Sequence, residues 1–442
     1  MTIKTAGTRR AGNRRKNGVE HRFGDTRIRL HRLENGLQIL VWEDRSAPVA
    51  AYYTWFSVGS GHEVPGRSGM AHLFEHLMFK ETKNLKAGEF DRTLELNGVS
   101  TNAATWLDWT YYQEHLPSDR LELVTRLEAD RMQNMILSQE QLDTERDVVR
   151  NERLLRVDNS PEGLISEELF HLHFGRHPYG HPTIGWMKDI GAITLADCID
   201  FHRIYYAPGN ATIVIVGDVE AEDAIALVER YYADIPSAPP PPEQRLSPPP
   251  SRTRQRLRQL ELPLATPRIS ILYSAPTVAA LEAAGTSLLC EILFNAENAR
   301  VRRLLVEDEE LAVNVSGWYG GLRLSGILEI QLDLVPAASW KKAVTLLDRE
   351  IARFLDAGPT DRELTQAKNR VELMFLQSNQ SVASRARNLG HFHATSGDFR
   401  DFFVSRERLR TCTGEELLQT ARTVLRRKTR TVVAAVPTGE EE

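Results

Sequence analysis

The sequence has few of the features that define specialised classes of protein. Its 442 residues include only three cysteines, Cys198, Cys290 and Cys412, which are far apart and odd in number. This pattern does not suit a disulfide framework or a CxxC metal site, so we expect buried free thiols. No apolar run approaches the roughly 20 residues that a membrane-spanning helix needs. The net charge of −5 gives no indication of a nucleic-acid partner.

The rest of the composition, with 41% apolar and 26% charged residues, is typical of a soluble globular protein. The first seventeen residues carry six Lys or Arg and no acid. No apolar segment follows them, so the sequence predicts no secretory signal peptide. We interpret residues 1–19 as a disordered basic arm, with an organellar transit peptide as the alternative. A cytoplasmic location is expected, with the mitochondrial matrix or the periplasm as alternatives.

A proline-rich segment, residues 236–251, divides the chain into two parts. Its sequence, PSAPPPPEQRLSPPPS, is too stiff for a core element and predicts a linker. Residues 20–235 and 252–436 both mix strand-like apolar runs with amphipathic helical stretches, which predicts α+β domains. Each part contains a strand, a turn and an apolar helix in that order, and Glu291 in the second part aligns with Glu75 in the first. The sequence therefore predicts a duplicated domain.

The segment GMAHLFEHLMFKET, residues 69–82, predicts a helix with two different faces. One face collects five apolar residues: Met70, Leu73, Phe74, Leu77 and Met78. The opposite face carries His72, Glu75 and His76. Two histidines four residues apart can direct their ring nitrogens to one point. Zinc sites use this spacing, with a carboxylate that acts on an activated water. The simpler alternative is a solvated polar face without a metal.

A third ligand is needed, because two histidines do not complete a zinc site. Residues 138–156 open with Ser138 and Gln141 in a capping pattern and predict a second helix. Six residues share its predicted apolar face: Leu142, Glu145, Val148, Val149, Glu152 and Leu155. Carboxylates are rarely placed in an apolar face unless they are paired or bound to metal. Pairing with local arginines explains them in one interpretation, and zinc ligation explains them in the other.

With these residues, the sequence resembles the M16 (pitrilysin-type, inverzincin) family of zinc metallopeptidases. The family signature is HxxEH with a ligand glutamate 76 residues after the second histidine, which is Glu152 here. Four further segments match in the same order: LENGLQILVWED, NAATWLDWTYY, HPYG and YYAPGNATIVIVGDV. The resemblance covers about residues 25–435. It implies two homologous domains, each an antiparallel-rich sheet with helices packed on it.

The resemblance implies a role for each candidate residue. His72, His76 and Glu152 are the expected ligands of one zinc ion, and Glu75 is the expected general base and proton shuttle. Glu145 is expected to orient a ligand, with ligation by Glu145 in place of Glu152 as the alternative. The implied activity is that of an endopeptidase acting on oligopeptides or unfolded peptides in a clamshell cavity.

Two further groups of residues are interpreted with the same resemblance. Asn102, Ala103 and Ala104 match an edge strand to which the substrate peptide adds, although an ordinary buried strand is the alternative. Four histidines suit no single helix face and are expected to pack turns rather than to bind a second metal: His171, His173, His177 and His181.

Two positions in the second part depart from the family. Many members have an arginine there and, seven residues later, a tyrosine, which bind substrate and stabilise the oxyanion. Here the positions hold Val306 and Val313, unless Arg302 or Tyr319 takes over. The departure implies a heterodimer with a homologous subunit that lacks HxxEH and carries the Arg and Tyr. The alternative is that the partner is a second copy of this chain.

Two other interpretations of the whole chain remain. A catalytically inactive structural subunit is one, and the retained HxxEH disfavours it. Zinc as a purely structural clamp is the other, and it is disfavoured because structural sites usually have four protein ligands.

Overall fold

The computed structural model describes residues 18–239, 248–250 and 253–439. The described strands are β1 (Val19–Phe23), β2 (Thr26–Arg32), β3 (Gln38–Glu43), β4 (Val49–Phe56), β5 (Ser100–Thr105), β6 (Thr110–Pro117), β7 (Ala211–Gly217), β8 (Arg256–Leu262), β9 (Arg268–Ala275), β10 (Ala312–Gly320), β11 (Gly326–Leu334) and β12 (Thr431–Pro437). The described α-helices are α1 (Met70–Leu77), α2 (Glu89–Leu96), α3 (Leu121–Asn134), α4 (Gln139–Arg153), α5 (Pro161–Phe174), α6 (Met187–Ala192), α7 (Leu195–Tyr205), α8 (Ala221–Tyr232), α9 (Ala283–Cys290), α10 (Arg300–Arg302), α11 (Trp340–Ala357), α12 (Asp361–Gln377), α13 (Val382–Ser396), α14 (Asp401–Thr411) and α15 (Gly414–Val424).

Two sheets that share the order of five strands confirm the predicted duplication. The first sheet runs β1-β2-β3-β7-β4-β6-β5, and the second runs β8-β12-β9-β11-β10. Neighbouring strands are antiparallel except β3 with β7 and β8 with β12, which are parallel. The five strands from β3 to β5 therefore match the five strands of the second sheet in order and in direction. The expected α+β fold of two antiparallel-rich domains is confirmed.

Each half of the chain covers one sheet face of the other half. The outer face of the first sheet packs on α13, where Leu389 joins a buried cluster with Trp55. The outer face of the second sheet packs on α5, where Leu169 joins a buried cluster with Val433. A sheet that is apolar on both faces needs cover on both faces, which explains this exchange of helices. The two halves are thus held together by apolar packing on both sides.

Several expectations about the chain as a whole can be compared with this fold. Cys198, Cys290 and Cys412 are buried and unpaired, as expected. In the described part of the chain, no helix combines the length and the apolar character needed to cross a membrane. Most of the basic arm and of the proline-rich segment lies outside the described residues, so the limits of these segments and of the domains stay predictions.

The helix predicted over residues 138–156 forms, but its apolar face is narrower than predicted. Ser138 caps α4 by accepting a hydrogen bond from the backbone N–H of Gln141. The α-helix ends at Arg153 and continues as a wider π-helical turn, Leu154–Asp158. Val148 and Leu155 were expected on the buried face, and that expectation is wrong, because they are 42% and 74% exposed. Leu155 faces outward because the wider turn rotates it away from the helical face, whereas Val148 lies at the margin of that face.

Candidate metal centre

Helix α1 presents the HxxEH residues opposite its core face, as the sequence predicts. The helix begins after Gly69, whose φ of +92° is suited to glycine. All five residues of the predicted apolar face are buried: Met70, Leu73, Phe74, Leu77 and Met78. His72, Glu75 and His76 are only partly buried and face away from this core. Packing of the apolar face therefore fixes the direction in which these three side chains point.

Helix α4 brings Glu152 to the two histidines. Glu152 Oε2 lies 3.6 Å from His72 Nε2 and 3.3 Å from His76 Nε2. Potential ligand atoms of these three residues all lie within 4.8 Å of one another, and no other such group occurs among the described residues. The structure thus brings the predicted ligands together, although His76 and Glu152 are 76 residues apart in the sequence.

These separations suit a metal better than direct hydrogen bonds. Hydrogen bonds between nitrogen and oxygen usually measure about 2.7–3.2 Å. Zinc bonds of about 2.0–2.2 Å in a tetrahedron place neighbouring ligand atoms about 3.4 Å apart, which is close to both measured distances. Within the described residues, Glu152 Oε2, the atom nearest both histidine rings, is buried and has no hydrogen-bond partner. The donor set of two imidazoles and one carboxylate therefore fits zinc.

Glu75 lies beside this set and is held by the neighbouring strand. The Thr105 hydroxyl, on β5, donates a 2.6 Å hydrogen bond to Glu75 Oε2. Burial raises the pKa of Glu75 above its ordinary value, against the opposing effect of that hydrogen bond. A carboxylate with a raised pKa is suited to both taking and returning a proton near neutral pH.

Glu145 lies on the other side of the His76 ring. Its Oε2 is 3.5 Å from His76 Nδ1, while Glu152 faces Nε2 of the same ring. Lys80 Nζ lies 2.7 Å from Glu145 Oε1. Burial would raise the pKa of Glu145, but hydrogen bonds with His76 and Lys80 outweigh it and lower that pKa. This arrangement favours the orienting role of Glu145 over direct ligation.

Sequence reasoning missed Lys80 as part of the site. Lys80 lies four positions after His76 and three residues beyond the end of α1, and on a helix continued to this residue the spacing would place it on the same face. That spacing was the available signal, but nothing in the sequence indicated that Glu145 would be within reach.

The pKa values of the two histidines differ when no metal is bound. Burial lowers the pKa of His72 to about 4. Burial acts in the same direction on His76, but the neighbouring carboxylates of Glu145 and Glu152 outweigh it and raise the pKa of His76 to about 9. A metal needs both rings in the neutral form, so its binding must release a proton from His76.

The strand predicted to receive the substrate lies at an open edge. Strand β5 is the last strand of the first sheet and pairs only with β6. Asn102 is exposed, and Ala103 and Ala104 are half-buried, so the alternative of an ordinary buried strand is wrong. Thr105 ends the same strand and contacts Glu75, which places this edge beside the ligand set.

The second half offers no obvious replacement for the Arg and Tyr of the family. Val306 packs against the second core, and Val313 is 60% exposed at a bulge in β10. Arg302 donates a hydrogen bond to Asn314. The Tyr319 hydroxyl donates to the carbonyl of Pro276 at 2.9 Å. The hydroxyl proton of Tyr319 is therefore already used within the second half, and one of the five N–H donors of Arg302 is used there as well.

The four histidines singled out in the sequence contribute to packing. His171 contacts the carbonyl of Gly180, and His173 contacts the hydroxyls of Thr431 and Ser274. Among the described residues, they form no second group with metal-binding geometry. The expectation of a packing role agrees with these contacts.

Comparison with known families places this chain in one class of protein. Residues 38–185 match a family model described as Insulinase (Peptidase family M16), and residues 192–371 match one described as Peptidase M16 inactive domain. The chain belongs to the M16 peptidase family. Most of residues 192–371, the second match, lie in the half of the chain that lacks HxxEH.

Similar proteins in bacteria are described as zinc proteases. The chain is 39% identical over 204 residues to the zinc protease PqqE of Helicobacter pylori, a match that spans 46% of each protein. It is 26% identical over 407 residues to an uncharacterized zinc protease of Mycobacterium tuberculosis, a match that spans 90% of each. The alignment with PqqE thus covers less than half of that relative.

Solved structures confirm the fold over nearly the full chain. A protease from Helicobacter pylori superposes with a TM-score of 0.87 at 25% identity, over 93% of this chain and 99% of that one. A structure described as a peptidase M16 inactive domain, from Pseudomonas fluorescens, superposes with a TM-score of 0.85 at 22% identity, over 94% and 99% of the two chains. The second comparison shows the fold alone.

Proposed function

We propose that this chain is the zinc-bearing catalytic subunit of an endopeptidase that hydrolyses oligopeptides or unfolded peptides. The observation that carries the proposal is the convergence of His72, His76 and Glu152, with Glu75 on the same helical face. Zinc held by this set would supply Lewis-acid activation of a water and of the scissile carbonyl. Three protein ligands leave room for a reactant, which is typical of catalytic rather than structural sites.

The remaining residues supply proton transfer and orientation. Glu75 takes the proton of the attacking water and passes it to the leaving amine, which requires a pKa above that of an ordinary carboxylate. The Thr105 hydroxyl fixes one oxygen of Glu75 and leaves the other for that transfer. Glu145, paired with Lys80, fixes the orientation of the His76 ring.

The open edge of β5 defines the substrate class. An extended peptide can pair with this edge through backbone hydrogen bonds, which do not depend on its sequence. Most strands of a folded protein are already paired within its sheets, whereas an oligopeptide or unfolded segment has free backbone groups along its whole length. Oligopeptides and unfolded segments are therefore the proposed substrates.

The proposed active site is completed by a second, homologous subunit. Val306 and Val313 cannot donate hydrogen bonds, and the Tyr319 hydroxyl already donates to the Pro276 carbonyl. A partner that lacks HxxEH but carries the Arg and Tyr would supply the missing donors.

A catalytically inactive structural subunit is the second candidate function. The same two valines favour it, as does the match of residues 192–371 to a domain described as inactive. The two candidates make opposite predictions for zinc-dependent cleavage, because an inactive subunit would leave peptides intact with or without metal.

Zinc binding provides the direct test of the ligand set. We expect one zinc ion per chain, cleavage of an unstructured peptide that stops with a chelator, and recovery with one equivalent of zinc. Glu152→Gln should weaken zinc binding at least about tenfold, because it removes an anionic ligand. Asp147→Asn is the matched control, since Asp147 is an exposed acid of the same helix. Equal zinc affinity in the Glu152 variant and in the wild type would contradict the assignment.

Substrate pairing with β5 can be tested on the peptide itself. N-methylation of single backbone amides in the substrate should raise KM at alternate positions, because only every second residue of a strand faces its partner. Each lost hydrogen bond should raise KM by about 2- to 10-fold, corresponding to about 0.5–1.5 kcal/mol. The amides in between serve as internal controls. A KM profile without a two-residue period would contradict the pairing.

A further inference from the structure

Residues 181–189 contact both of the helices that carry the proposed ligands, α1 and α4. This segment, here named the strap, ends inside α6 and crosses the start of α1. Gly185 of the strap and Gly69 touch so closely that neither position has room for a side chain. A Cβ on Gly185 would lie 2.4 Å from the Ser68 carbonyl, and a Cβ on Gly69 would lie 2.6 Å from the Ile184 carbonyl. Both glycines also have positive φ, at +87° and +92°.

Hydrogen bonds through Ser68 reinforce this crossing. The Ser68 hydroxyl donates to Asp189 at 2.7 Å and accepts from the backbone N–H of Trp186 at 2.9 Å. Ser68 is 3% exposed, so these bonds lie away from solvent. Ser68, which directly precedes the N-cap residue of α1, is thus hydrogen-bonded to two points of the strap.

Glu63 caps α1 where its own N-cap residue cannot. Gly69 has no side chain to accept the free N–H groups of the first turn. Glu63 accepts hydrogen bonds from the N–H of Gly69 at 2.8 Å and of Ala71 at 2.7 Å, and the residue is only 6% exposed. His181, the first residue of the strap, places Nδ1 3.7 Å from the same carboxylate. Glu63 therefore holds the start of α1 and lies beside the first residue of the strap.

Arg153 attaches the strap to α4 at the residue after Glu152. Its guanidinium donates to the Gly185 carbonyl at 2.8 Å and to Glu167 at 2.7 Å, and the side chain is 5% exposed. The same group lies 5.7 Å from the centre of the Trp186 ring. A buried arginine held at several points is a rigid connection, because its planar group fixes each bond direction.

We infer that the strap sets the position of α4 relative to α1, and that Glu63 and Arg153 are positioning residues for the zinc site. The inference rests on the proposed function in taking His72, His76 and Glu152 as ligands. Neither Glu63 nor Arg153 belongs to that set. Sites of this kind need their ligands held within about 0.5 Å, so a small displacement of either helix weakens binding.

Metal binding without substrate tests the inference. Glu63→Met keeps the side-chain length, Arg153→Met keeps an unbranched apolar stem, and both remove the polar contacts. Each is expected to weaken zinc binding about 10- to 100-fold in a chelator competition and to change the visible absorption spectrum of the cobalt-substituted protein. Arg153→Lys and Glu63→Gln retain part of the bonding and should recover part of the affinity. Arg150→Met is the control, because Arg150 lies on the same helix with an exposed partner, Asp147.

The outcomes separate this inference from the proposed function. Unchanged zinc affinity and an unchanged cobalt spectrum in folded Met variants would overturn the inference alone. If circular dichroism shows that a Met variant does not fold, the Lys and Gln variants decide in the same way. A wild-type chain that binds no zinc would instead refute the proposed function, and the inference with it.

Discussion

Replacement of Glu75 by glutamine is expected to lower kcat for peptide hydrolysis by about a hundred- to ten-thousandfold. The amide cannot take a proton from the attacking water, yet it has the same size and can still accept the hydrogen bond from Thr105. The ligand set is unchanged, so zinc content should stay at one ion per chain. Steady-state kinetics on an unstructured fluorogenic peptide, combined with metal analysis, measure both quantities.

A matched change elsewhere separates this effect from a general loss of charge. Glu95→Gln alters an exposed glutamate of α2 and should leave kcat at the wild-type value. KM should change little in the Glu75 variant, because the backbone contacts of β5 do not involve this carboxylate. Hydrolysis at the wild-type rate by a zinc-loaded Glu75→Gln protein would refute the proposed mechanism.

Addition of the homologous subunit that lacks HxxEH and carries the Arg and Tyr should raise kcat of this chain by about a hundred- to a thousandfold. This factor is the usual effect of one oxyanion donor, about 2.7–4 kcal/mol. Val306 and Val313 offer no donor, and Tyr319 is already bonded within the second half. The measurement is cleavage of the same peptide by the zinc-loaded chain alone, by the partner alone and by their mixture.

The control for this experiment is a partner whose Arg and Tyr are replaced by Met and Phe. This variant should still bind the chain, as size-exclusion chromatography can show, but should not stimulate cleavage. A rate for the chain alone that equals the rate of the mixture would contradict the proposed division of the active site between two subunits. A mixture in which no component cleaves peptides would favour the inactive structural subunit.

Much of the ligand set could be read from local patterns. The i, i+4 spacing of His72 and His76 depends only on helical geometry, and the buried residues of α1 follow the predicted face. The duplication was also visible, because a strand and an apolar helix recur in the same order. Glu152 was found by its distance from His76 in the family signature rather than by periodicity, since several residues shared its helical face.

The pattern failed where a helix changes its geometry. Leu155 matches the apolar face of an ideal helix, but α4 ends at Arg153 and a wider turn follows. Nothing in the composition of this segment marks that change. The contacts of Arg153 with the strap and Glu167 hold the region where the α-helix ends.

The sequence by itself determined which side chains could form a metal site, because helical periodicity and residue chemistry are local properties. Only the tertiary structure decided that α4 lies beside α1, that Glu152 and Glu145 face different nitrogens of His76, and that β5 lies at an open edge. The same holds for the contact of Lys80 with Glu145 and of Arg153 with Gly185. These contacts join residues far apart in the chain, so they depend on how whole elements pack and not on any pattern within one of them.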